Sequence, residues 1–210
     1  MQKFAFMGGL AVIALVLLPP IGTGAEHLFA LHMAQHLLLI AGAAPLLVAS
    51  GALDRIFRIP VVQELMQPVT AWVLFVGIFL LWHWPAAFRW AARNEASQLL
   101  EYVSILFGAS LFWNVGLQSR VLSLGARALF VMTAAVVTDL PGVIMVFSPR
   151  AICTMPGENA QHWGLTPLQD QQIAGLLMWV PANLIFFAVA TWLFARWISD
   201  TPSATHLVTL

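Results

Sequence analysis

The sequence predicts an all-α fold, a polytopic bundle of about six membrane-crossing helices, and three observations lead there. Of the 210 residues, 60% are hydrophobic and only 9% charged, where a water-facing domain needs about a quarter charged to cover its surface. Apolar stretches close to the roughly 20 residues that a hydrocarbon core requires recur along the chain. The connections between them are short and turn-rich, which leaves no room for a soluble domain. Nine basic residues balance nine acidic ones, with no concentrated basic face, so nucleic-acid binding is excluded. The single cysteine, Cys153, excludes an intramolecular disulfide and any cage built from cysteines alone.

The first span is placed at 4–22, ending at Pro19-Pro20-Ile21-Gly22. Met1-Gln2-Lys3, the apolar run and Thr23-Gly24-Ala25 before Glu26 also have the layout of a signal peptide. Cleavage there would leave five spans in the same orientation. The second span, 28–50, carries His32 and His36 ahead of Ala44-Pro45. After a polar stretch from Asp54 to Pro68 the third span, 69–88, contains Trp82-His83-Trp84-Pro85. Arg89 to Glu95 leads to a fourth span at 97–117, and Gln118 to Ala126 to a fifth at 127–148. The longest connection, Pro149 to Asp170, precedes the sixth span at 171–195. Residues 1–200 therefore read as a single transmembrane domain, and 201–210 as a disordered C-terminal tail.

Basic residues near helix ends are retained on the cytoplasmic side. With the N-terminus inside, Lys3, Arg55, Arg58, Arg120, Arg127 and Arg196 are cytoplasmic, and only Arg89, Arg93 and Arg150 are outside. This asymmetry favours N-in, C-in. Trp72, Trp192 and Trp197 then mark the inner interface, and Trp82, Trp84 and Trp90 the outer one.

Ionisable side chains inside the hydrocarbon are costly and usually face the bundle interior. His32 and His36, four residues apart, share one helix face and can chelate a single metal ion. On the N-in topology His27, His32, His36, His83, Glu101, Cys153, Met155, His162 and Asp170 all fall in the outer half or the outer loops, and the cytoplasmic half has nothing comparable. Each also has a plainer reading. A lone His83 can be an interhelical hydrogen-bonding residue, and Glu101 and Asp170 can cap helix N-termini. Cys153 can be a small loop residue, and Asp139 either a partner for a neighbouring polar group or a proton-handling carboxylate. Imidazoles with thiol or thioether nearby suit copper or zinc, and copper is the favoured reading. Haem is the rival. One regular helix cannot supply both axial ligands, so a haem would need His32 or His36 together with His83.

Several segments resemble the CtaG family, bacterial membrane assembly factors of caa-type cytochrome c oxidase. The resemblance rests on His32-Met33-Ala34-Gln35-His36-Leu37-Leu38-Leu39 with Ala44-Pro45-Leu46-Leu47, on Trp82-His83-Trp84-Pro85-Ala86 with Phe88, and on Leu100-Glu101 ahead of Leu111-Phe112-Trp113. It is most specific at Pro167-Leu168-Gln169-Asp170-Gln171-Gln172, continuing through Ile173 to Pro181. The chain departs from the family at Tyr102, where a His commonly follows the Glu, and near Cys153, where an aromatic residue is usual. It is also short for the family, which often has an additional span.

The resemblance implies a role in maturing a haem-copper oxidase, with copper bound or handed over at the periplasm-facing side of the bacterial inner membrane. The metal-site residues expected on this reading are His32, His36, His83, Glu101, Asp170, Cys153 and Met155. The partners would be oxidase subunits or a copper chaperone, in a lipid bilayer, and the protein would not be an enzyme. Three rivals stay open: a copper or proton transporter, which requires a continuous polar path across both leaflets; a haem-binding redox protein; and a metal-free scaffold in which the histidines hold helices together.

Overall fold

The computed structural model describes residues 1–19, 21–155 and 160–200, with only the backbone at Thr23. The stretch read as a disordered tail lies outside the described residues. All regular structure among the described residues is helical. The main elements are α1 (Gln2–Leu17), α2 (Phe29–Ser50), α3 (Pro68–Trp82), α4 (Pro85–Ala91), α5 (Glu95–Gln118), α6 (Leu124–Phe147) and α7 (Pro167–Asp200). Short helical turns at Ile21–Ala25, Asp54–Phe57, Pro60–Leu65 and Ala160–Trp163 fill the connections.

Four helices, α2, α5, α6 and α7, are long and apolar enough to cross a membrane, and α3 with α4 makes a fifth if the bent pair counts as one crossing. With 16 residues, α1 is about 24 Å long, short of a hydrocarbon core of about 30 Å. Helix length thus supports four or five crossings, and a sixth rests on α1. The third expected span, 69–88, is not a single straight helix: it breaks between Trp82 and Pro85 and turns by 76°. Proline pushes the residue before it out of the helical region, and Trp84 is extended, at φ −74° and ψ 129°.

Within the bundle α2 is central. Its first half packs on α7 and its second half on α1 and α5, while α3 packs on α5 and α6, and α6 lies against α7. Beneath the functional end, Phe75 (α3), Phe112 (α5) and Phe186 (α7) stack together, with Phe75–Phe112 centroids 4.5 Å apart and Phe112–Phe186 5.7 Å apart. Phe130 of α6 stacks on Phe112 at 4.9 Å. Four helices are joined by this buried apolar plug. The α6–α7 crossing is set by two glycines: a Cβ at Gly175 would stand 2.7 Å from the Gly142 carbonyl oxygen. Small residues at such a crossing let backbones approach where helix association depends on close packing.

Prolines free backbone carbonyls, and side chains from neighbouring helices satisfy them. Residues Leu38–Ala43 of α2 form a π-helical turn, in which each N–H reaches five residues back. Pro45 has no N–H to offer Ile40, and the Trp113 indole N–H donates to that carbonyl instead, at 2.6 Å. At the end of α1 the Val16 carbonyl, in the last turn and without a helical partner, accepts from Gln35 Nε2 at 2.7 Å. In an apolar medium each such carbonyl, left alone, would cost several kcal/mol. Arg127 acts similarly at the end of α5: its guanidinium donates to the carbonyls of Gly116 and Leu117. Asp139, read from sequence as a partner or a proton carrier, accepts from Asn183 Nδ2 at 2.7 Å.

Candidate metal centre

The start of α2, the start of α5 and the end of α3 meet at one end of the bundle. Two turns of α2 carry His32 and His36, whose rings lie 4.6 Å apart. Facing them from α5 is Glu101, with Oε1 3.4 Å from His32 Nε2 and 3.3 Å from His36 Nε2. All three residues are at most 1% exposed. One donor atom from each lies within 4.8 Å of the other two, a grouping able to hold a metal ion. Bonds of about 2.0–2.1 Å to a tetrahedral ion put neighbouring donors roughly 3.3–3.4 Å apart. The two carboxylate-to-imidazole separations already have that length.

His83 joins the cluster from the break after α3. Its Nδ1 donates to the Phe79 carbonyl at 2.6 Å, its ring stacks on Phe79 at 4.0 Å, and it meets the His36 ring edge-on at 5.3 Å. That hydrogen bond puts the proton on Nδ1 and leaves Nε2 as a buried lone pair without a partner. His36 Nε2, Glu101 Oε2 and the Nδ1 atoms of His32 and His36 are also buried without a hydrogen bond; His36 Nε2 is close to Glu101 but out of line. Buried polar atoms are normally satisfied. Three of these atoms, His36 Nε2, His83 Nε2 and Glu101 Oε2, are lone-pair donors that could face one ion, so the donor set has the chemistry a metal site requires.

The bend in the chain roofs the cluster. Past Pro85, α4 turns across the end of the bundle, so Phe88 packs edge-on to Phe29 at 4.9 Å and to His32 at 5.5 Å. The Ser97 hydroxyl, at the start of α5, donates to the Ala91 carbonyl at 3.0 Å and pins the end of α4. On the flank, Tyr102 stands where the resemblance leads one to expect His. Its hydroxyl donates to Gln35 Oε1 at 2.5 Å and accepts from Gln98 Nε2 at 3.0 Å. It ties α5 to α2, with its ring 5.9 Å from that of His32.

The other expected ligands stand apart from this set. Asp170, at the start of α7, accepts from the backbone N–H groups of Phe29 and Ala30 at 2.8 and 3.0 Å, so both its oxygens cap α2 from another helix. Cys153 is buried against a separate cavity that it shares with His83. Met155 is buried in a small pocket beside His27, Ala160 and Asp170. Burial pushes the Cys153 thiol up to about 11, against a smaller downward pull from Arg89.

Two glutamines quoted in the motifs have roles that the sequence does not reveal. Gln35 lies between the two histidines. Gln171, fully buried, accepts from the N–H groups of Ile152 and Cys153 and donates to the Met145 carbonyl at 3.0 Å. The signal was present in the rarity of amides on otherwise apolar spans.

No curated protein and no solved structure matches the chain. The family described as cytochrome c oxidase caa3 assembly factor matches over residues 1–200, in agreement with the motif resemblance. The match runs over nearly the whole length, and the chain belongs to the cytochrome c oxidase caa3 assembly factor family.

Proposed function

We propose that the protein holds copper between His32, His36 and Glu101, with His83 beside them, and hands it to a copper-requiring subunit of the oxidase or exchanges it with a copper chaperone. The observation that supports this most is the convergence of two imidazole nitrogens and a carboxylate oxygen, all buried, within 4.8 Å. Imidazole donors suit copper, and the oxidase that the family serves is a haem-copper enzyme by the resemblance drawn from the motifs. The role is binding and transfer, not catalysis. In this reading the chain crosses the bacterial inner membrane six times with both ends inside, which puts the cluster near the periplasmic face.

Haem fits less well. The void bordering His36, between Phe79, Met178 and Phe186, measures about 30 Å³, whereas a ligand of cofactor size needs about 300 Å³ or more; the cavity of about 570 Å³ beside it is lined by His83 but by neither His32 nor His36, so it offers one imidazole and not an axial pair. A transport path is opposed by the phenylalanine plug beneath the site.

The test is made in cells lacking the native gene and supplied with wild type or the His32→Ala/His36→Ala variant. Copper per purified oxidase is the readout. The expectation is full copper with wild type and at least a fivefold deficit with the variant, at equal membrane levels of the two proteins. Equal oxidase copper in both would refute a role for these histidines in delivery.

A further inference from the structure

A buried cluster under an aromatic roof needs a route by which its ion arrives. Beside it lies a cavity of about 570 Å³, walled by His83, Pro85 and Arg89 around the bend, by Pro141 and Met145 of α6, and by Cys153. His83 belongs to both places: its ring touches that of His36, and it also lines the cavity. Its Nε2 is unpartnered although the residue is only 6% exposed.

Two sulfur residues face the same space, and one side chain positions both. Gln171 holds the Cys153 N–H at 3.0 Å through Oε1 and the Met145 carbonyl at 3.0 Å through Nε2. Cys153 is 3% exposed and Met145 2%. A buried amide on an apolar helix is costly unless fully bonded, and this one is bonded wholly to the backbone beside the two sulfurs.

We propose that this cavity is a port site for a soft monovalent cation, Cu(I), held by the Cys153 sulfur with His83 Nε2 and the Met145 thioether, from which His83 passes the ion to the buried cluster. Thiolate and thioether donors select Cu(I) over harder ions. Binding replaces the thiol proton, which leaves to solvent, and the ion moves between ligand sets without a change of oxidation state. The proposal rests on the copper reading of the cluster and adds where the ion arrives and which residues receive it.

The test follows Cu(I) uptake by the full chain in detergent, anaerobically and with reductant, from a coloured Cu(I) chelator. Wild type is compared with Cys153→Ser and with Ala86→Trp, which fills the cavity from an exposed position on α4. Both variants are expected to load at least tenfold more slowly and to reach the same final amount of slowly exchanging copper per chain. In the His32→Ala/His36→Ala background, rapidly exchanging copper should persist and be lost when Cys153→Ser is added. Uptake at wild-type rate in both Cys153→Ser and Ala86→Trp would overturn the port while leaving the cluster intact. Copper that depends on Cys153 but is indifferent to His32 and His36 would sustain the soft site and refute the cluster. Absence of copper from every protein would overturn both.

Discussion

The ring of Phe88 meets His32 edge-on, with centroids 5.5 Å apart, although a break in the helix and a turn of 76° separate Phe88 from α3. Pro85 creates the break, and the break brings an apolar ring over a polar cluster. Phe88→Ala is therefore expected to lower stability by about 3–5 kcal/mol, the range for a buried Phe truncation, and to open the cluster to water. Thermal unfolding in detergent measures the first effect, and the rate at which a chelator strips bound metal measures the second. Unchanged stripping in Phe88→Ala would show that the roof does not control access.

The π-helical turn in α2 gives a sharper test, because its explanation pairs two residues far apart in sequence. Trp113→Phe removes the donor to Ile40 and leaves a buried carbonyl unsatisfied, at a cost of about 1–3 kcal/mol. In a Pro45→Ala background an N–H becomes available to that carbonyl, so the same replacement should cost less. A double-mutant cycle reads the difference. Strict additivity would mean that the Trp113 bond does not compensate for the proline.

How much of this was legible beforehand depends on which forces act locally. The His32/His36 pair follows from helical spacing, and the family motifs were visible from residues alone. Pro85 was visible too, yet a straight span was drawn across it, because hydropathy does not register one extended residue such as Trp84. Asp170 shows the opposite difficulty. A carboxylate opening a helix suggests a cap on its own helix, but its oxygens cap α2, 140 residues away in sequence, and only packing shows that. Gln35 and Gln171 stood in the motifs, but their roles were not legible because their partners are carbonyls and N–H groups exposed at helix ends and loops elsewhere in the chain.

At the α6–α7 crossing the two glycines leave no space. Gly175→Ala places a Cβ 2.7 Å from the Gly142 carbonyl oxygen and 2.9 Å from Val146 Cγ2, and overpacking of this kind costs about 1–3 kcal/mol. Gly77→Ala, where nothing lies within 4 Å of the new carbon, is the control and should leave the unfolding temperature unchanged or raise it slightly. Equal behaviour of the two variants would argue against a close helix crossing.

The folded protein favours the neutral form of Cys153, because burial pushes its thiol up to about 11. The stability this contributes is complete below the ordinary thiol range near 9 and is lost as pH rises through about 11. Between pH 9 and pH 11 the unfolding temperature of wild type should fall more than that of Cys153→Ser. At pH 8, alkylation by iodoacetamide should be at least tenfold faster in denaturant than in the folded protein. Rapid labelling of the folded protein at pH 8 would contradict the burial of this residue.

The central claim is that His32, His36 and Glu101 form one metal site, and it is tested most directly by the copper content and optical spectrum of detergent-purified protein from copper-supplemented cells. Wild type should carry about one copper per chain with no Soret band. His32→Ala/His36→Ala and Glu101→Gln should each lose most of it while keeping their helical circular dichroism. Copper-free wild-type protein with that dichroism, or a Soret band that falls when His36 or His83 is replaced, would contradict the account.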